Sequence, residues 1–170
     1  TAGGSEAPVV SLPRATPPPL LVENPVTGYA PCMAAGDLET VKLLVVVYGV
    51  DLRYQTPAKG MTLWHSLCAK LGRIPSWGGL SKPRDQLLGH IKAIAAFHAS
   101  NTNDQHHTDH HQNVFSMKNT EGKTPLCLAG SMAASELVQS CPLAWEADQA
   151  LQRLRGPRRV PGGAKQVVNP

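Results

Sequence analysis

Three glycines, Gly28, Gly60 and Gly122, each stand just ahead of a short apolar stretch, and this recurrence constrains the fold more than any other feature of the chain. The middle copy runs from Gly60 through Met61-Thr62-Leu63-Trp64-His65-Ser66-Leu67-Cys68-Ala69-Lys70-Leu71 to Gly72. Upstream, Gly28-Tyr29-Ala30-Pro31-Cys32 leads through Gly36-Asp37 into the apolar run Leu38 to Leu44. Downstream, Asn119-Thr120-Glu121-Gly122-Lys123 precedes Thr124-Pro125-Leu126-Cys127-Leu128-Ala129. Each reads as a Gly turn, a helix start and a short apolar helix. Such a unit cannot bury its apolar face alone and must stack on a neighbour. The chain therefore reads as an all-α stack of repeats rather than as a single-core enzyme.

Thr124 and Pro125 supply the local physics of a helix start. Thr124 can cap the helix, and Pro125 in the first turn lacks only an N–H that would be unpaired there. With Leu126 and Leu128-Ala129 the pattern resembles the ankyrin repeat, a turn followed by two antiparallel helices in about 33 residues. The step from Gly28 to Gly60 is close to one such unit. The step from Gly60 to Gly122 is close to two, yet no third turn signature lies between them. The middle copy is thus expected to be one unit split by insertions, with its second helix at Asp85–Ala99 and Leu87, Leu88, Ile91, Ile94, Ala95 and His98 on one face.

In the first copy, Gly36 to Leu44 resembles an inter-helix turn and second helix, predicted to run from Leu38 to Tyr48. Its first helix, from Pro31, is barely a turn, as in a degenerate capping copy. The middle first helix is predicted at Met61 to Leu71. The last second helix is predicted to begin at Ser135–Ser140, to break at Pro142 and to resume from Ala144 to Leu154. The resemblance covers roughly 28–51, 60–72, 85–99 and 119–140. It implies that His65 ties its turn to the neighbouring one, and that Cys127, at the same position in the last copy, does not. It also implies a concave surface of turns and first helices that binds proteins without catalysis. The candidate contacts are Gln55, Thr56 and Thr120 at the hairpin tips, with His65, Trp64 and the loop residue Trp77. Trp64 reads first as a core wedge between copies, and otherwise as an anchor.

Three regions follow. Residues 1–24 form an extended Pro-rich arm, because Pro8, Pro13 and Pro17 to Pro19 forbid helix. Residues 25–152 form the ankyrin-like domain, with insertions at 73–84 and 100–118. Residues 153–170 form a basic C-terminal tail. About three repeats is the minimum for a stable stack, so the array is expected to be marginal alone or held by partners. The helix at Leu38 to Tyr48 is so apolar that it must be covered nearly all round. Extended tails and insertions suit a subunit of a large assembly, and a free adaptor is the alternative. No acidic residue follows Asp148, and Arg153, Arg155, Arg158, Arg159 and Lys165 concentrate positive charge there. This tail is either solvated or laid against RNA or an acidic protein surface. A ribonucleoprotein such as an organellar ribosome is one candidate setting, and a respiratory or ATP-synthase-type complex, with less need for the arginines, is the other. A first residue Thr1 fits a removed transit peptide, so a mitochondrial or other organelle matrix is expected, with the cytoplasm as alternative. No run is long and apolar enough to predict a membrane span.

Chemistry is sparse. In Asn101 to Gln112, His106 and His110 would share a helix face, as would His107 and His111, and imidazoles so placed can hold zinc or nickel. The segment lacks an apolar pattern, and reads rather as a polar loop that binds metal weakly. Gly122-Lys123-Thr124 ends like a phosphate-binding loop, but the earlier Gly that loop requires is Met117 here. Cys32, Cys68, Cys127 and Cys141 have neither metal nor disulfide spacing, and the first three are expected inside first helices. A non-enzyme without a cofactor is the expectation.

Overall fold

The computed structural model describes residues 19–75, 81–102 and 113–155, and every described element is helical. Single 3-10 turns at Pro19–Leu21 and Pro31–Ala34 precede α1 (Leu38–Val46), α2 (Leu63–Arg73), α3 (Ser81–Thr102), α4 (Pro125–Ser140) and α5 (Pro142–Arg155).

The cap expected at Thr124 is present, and Asp37 and Thr62 cap two further helices. Asp37 Oδ1 accepts from the Thr40 amide at 2.9 Å and opens α1. Those bonds, the amide first, hold the Asp37 carboxyl below its ordinary range. Thr62 opens α2 and Thr124 opens α4, each hydroxyl accepting from the amide three residues on. α1 is shorter than predicted, because Gly49 at φ +64° turns the chain away. α2 starts later than predicted, because Thr62 is its cap rather than its first turn. α3 is longer than predicted and takes in the end of the first supposed insertion. α4 bends at Gly130, whose φ of 75° and ψ of 167° are non-helical, so its second segment starts ahead of Ser135. Pro142 begins α5 rather than merely interrupting a helix. The inward residues of α5 are Ala144 and Ala147, while Trp145 is exposed.

The helices stack around α2, which packs on the Pro31–Ala34 turn, on α3 and most extensively on α4. α1 lies against α3, and α5 against α4. The core is continuous through all five helices. Trp64 is fully buried, its Nε1–H donates to the Leu52 carbonyl at 3.1 Å, and its ring tilts onto Phe115 with centroids 5.0 Å apart. Val114, Phe115 and Met117 are buried, so the segment expected as a second insertion returns to the core before the last turn.

Two close contacts set the spacing of the stack. At Gly72 a methyl group would stand 2.6 Å from the Ala129 carbonyl oxygen, so glycine lets α2 and α4 touch. At the start of α3, Arg84 is buried and donates to the Ile74 carbonyl at 2.9 Å and to Glu136 Oε2 at 2.7 Å. This ion pair joins α3 to α4.

The glycines give a paired stability test. Gly72→Ala must push backbone apart and should cost about 2 kcal/mol. Gly89→Ala, inside α3 with no atom within 4 Å of the added methyl, should stabilise by about 0.5–1 kcal/mol. Urea melts of the two variants check this; a Gly72→Ala chain at least as stable as the unaltered one would refute the α2–α4 contact.

Candidate interaction surface

Three turns stand side by side at one edge of the stack. Gly28, Gly60 and Gly122 occupy matching places in them, at φ +76°, +61° and +73°. Each turn is closed by its own backbone: Gly28 N–H to Asn24, Gly60 N–H to Thr56 and Gly122 N–H to Asn119, at 2.8, 2.8 and 2.9 Å. Only a residue free to adopt positive φ without strain fits the bend.

The turns are also bonded to one another. The Thr56 hydroxyl donates to the Gly28 carbonyl at 3.1 Å. The Glu23 carboxylate accepts from the amides of Ala58 and Lys59 at 2.7 and 3.1 Å. On the other side, the Thr120 amide donates to the Lys59 carbonyl at 3.1 Å, and Gln55 Nε2 donates to the Lys118 carbonyl at 3.0 Å.

His65 is the centre of this row. Its Nδ1 accepts from the Thr62 amide at 3.2 Å, and its Nε2 lies 3.0 Å from the Lys123 carbonyl. An N–H donor on one side and a carbonyl on the other require the neutral ring, with the proton on Nε2. Burial pushes the imidazole below its usual pKa, against a smaller upward pull from its bonds to the Lys123 and Met117 backbone. The expected tie between neighbouring turns is present here. In the last turn, the Thr124 hydroxyl donates to the Cys127 sulfur at 3.3 Å within the same helix start.

The expected contact residues separate on burial. Gln55 and Thr120 are exposed at the turn tips. Thr56, Trp64 and His65 are buried and present no surface to a partner, because their polar atoms are spent on neighbouring backbone. They build the surface rather than form it. Arg153 is exposed near the end of α5, and Arg155 closes that helix. Trp77, His106, His107, His110, His111, Arg158, Arg159 and Lys165 lie outside the described residues.

Two surfaces were not read from the sequence as sites. The first is the outer side of α1. Val41 and Leu44 face inward, but Leu43, Val46, Val47 and Tyr48 are 50, 75, 63 and 58% exposed, so the apolar helix is covered on one side only. The second is a groove of about 530 Å³ between the Tyr29–Ala34 stretch and α2, floored by Ala30, Met33 and Ala69 and edged by Tyr29, Lys70 and Arg73. Its signal in the sequence is the spacing of Ser66, Lys70 and Arg73, which share one face of α2.

The thiols offer little chemistry. Cys32, Cys68 and Cys141 are buried, and burial raises the pKa of each, so they stay protonated. Cys127, expected inside, is exposed. Among the described residues no group of three or more His, Cys, Asp or Glu side chains could hold a metal ion. No described helix is long and apolar enough to cross a membrane.

The buried neutral His65 makes stability depend on pH. Its folded pKa lies below the unfolded value of 6.5. Between the two, the unfolded chain binds a proton that the folded chain refuses, so stability is lost as pH falls below about 6.5. Thermal melts from pH 7.5 to 5.5 should show a falling Tm. His65→Gln should melt lower throughout but with a flatter slope, and an unchanged slope would remove His65 as the cause.

No family model matches the chain, and no curated protein or solved structure does either.

Proposed function

We propose that the chain is a non-catalytic, ankyrin-type protein-interaction scaffold, working as an accessory structural subunit of a larger assembly. The observation that carries this reading is the exposed apolar surface at the C-terminal end of α1, made by Leu43 and Val46 on the helix and Val47 and Tyr48 just past it. The occupant that fits is a neighbouring protein subunit whose apolar surface continues the stack. The ankyrin assignment is supported by the repeated positive-φ glycines, the capped helix starts at Thr62 and Thr124, and the tie made by His65. The run of basic residues from Arg153 to Lys165 supports a ribonucleoprotein setting, such as an organellar ribosome, with RNA against the tail.

A free adaptor is the second reading. It is favoured by the continuous core and by the absence, among the described residues, of any buried polar side-chain atom without a partner. Such a domain needs no neighbour to complete it.

Purification of the tagged chain from its source, with and without ribonuclease, separates the readings. The subunit reading expects a stoichiometric set of partners that Val47→Glu abolishes. Because Val47 is exposed, that change should alter stability by no more than about 0.5 kcal/mol. Partners that survive Val47→Glu would overturn the role of α1, and one soluble partner bound equally by both proteins would favour the adaptor.

A further inference from the structure

The groove beside α2 has a chemistry that the uncovered face of α1 lacks. Its floor is Ala30, Met33 and Ala69, and its rim carries Lys70 and Arg73, one turn apart. The carboxylates near the surface are largely spoken for elsewhere: Glu39 holds Lys42, Asp51 holds Arg53, Glu121 holds Lys123 and Glu136 holds Arg84. Lys70 Nζ donates to the Ala34 carbonyl at 3.1 Å, a neutral partner. Among the described residues, Lys70 and Arg73 pair with no carboxylate, and no acidic side chain lines the groove. The C-terminal end of α2 offsets about half a unit of charge, against two positive side chains. The rim is therefore left net positive.

A third group converges there. Burial raises the pKa of the half-buried Tyr29 hydroxyl, while the nearby Arg73 guanidinium pulls it down. The phenol is thus a neutral donor within the field of Arg73. A guanidinium, an ammonium and a phenol above an apolar floor suit a carboxylate that arrives beside an aliphatic side chain. The volume lies within the roughly 300–1,000 Å³ of ordinary ligand sites. RNA fits less well, since bases seek flat aromatic platforms and, among the described residues, Tyr29 is the one aromatic side chain lining the groove.

We infer that this groove takes a short extended segment of a protein partner in which an Asp or Glu adjoins an aliphatic residue, the carboxylate sitting between Lys70 and Arg73. The inference rests on the protein-binding reading, and it adds a second contact on a different face of the stack from α1.

The test uses an array of synthetic peptides in matched pairs, each pair differing only in Asp or Glu against Asn or Gln beside a Leu. The full chain should bind the acidic members at least tenfold better than their neutral partners. Lys70→Glu with Arg73→Glu should abolish that preference, and Val47→Glu should leave it intact. If the double reversal does not fold, Lys70→Gln with Arg73→Gln should still reduce the preference severalfold. Equal binding of acidic and neutral members by the unaltered chain would overturn the inference. So would an acidic preference that survives loss of both charges. A fluorescent oligouridylate that binds the full chain, is lost in the double variant and competes with the acidic peptides would also overturn it, by assigning the groove to RNA. In any of these three failures, partners lost through Val47→Glu would still stand as evidence for the scaffold role, so the two readings fail separately.

Discussion

The row of hydrogen-bonded turns is the constraint on which the rest depends. α1 and α2 are only 9 and 11 residues long. Isolated helices of that length are marginal in water even with the best helix formers. Here the turns hold the helix starts side by side, so that each helix has a neighbour to bury its apolar face against. His65 links one turn to the next from a fully buried position, where a hydrogen bond contributes about 1 kcal/mol when made and an orphaned partner costs more. The same ring satisfies the amide of Thr62 at the start of α2. One side chain thereby couples the start of a helix to the register of the stack.

Behind that row, the spacing of the layers is set by a few contacts of different kinds. Gly72 lets α2 and α4 approach backbone to backbone. Trp64 and Phe115 fill the larger gap between α2 and the chain that returns from α3. The Arg84–Glu136 pair is asymmetric, with Arg84 almost wholly enclosed and Glu136 partly open to solvent. Loss of the glutamate would strand a buried charge, whereas loss of the arginine would leave a carboxylate that can turn outward. The start of α3 is thus held by a group that depends on α4.

The surfaces available to partners follow from where the stack stops. α2 packs on α3, on α4 and on the Pro31–Ala34 turn, while α1 lies against α3 and leaves Leu43 and Val46 exposed. The groove beside α2 lies against Pro31–Ala34, a single 3-10 turn much shorter than α2 itself. A shorter element leaves a trough along α2, and the polar face of α2 lines it. The shortening of the first copy was plain in the sequence, but the trough was not.

Although α2, α3 and α5 start elsewhere than predicted, the sequence alone carried the Thr124 cap, the glycine turns, the inward face of α3 and the shortness of the Pro31–Ala34 element. These depend on neighbours within a few residues: a hydroxyl three positions before an amide, a glycine that bends, an apolar residue every third or fourth position. Only the tertiary structure decided that Phe115 belongs to the core, that Arg84 and Glu136 pair, that Thr56 and His65 are inside, and that Leu43, Val46 and Val47 are outside. Each of those depends on residues distant in the chain. Periodicity puts Val41, Leu44, Val45 and Tyr48 on one face of α1, but Leu43, Val46 and Val47 widen the apolar surface, so it does not tell which of these stay open. What separated them was the presence of α3 against one side and of no described helix against the other.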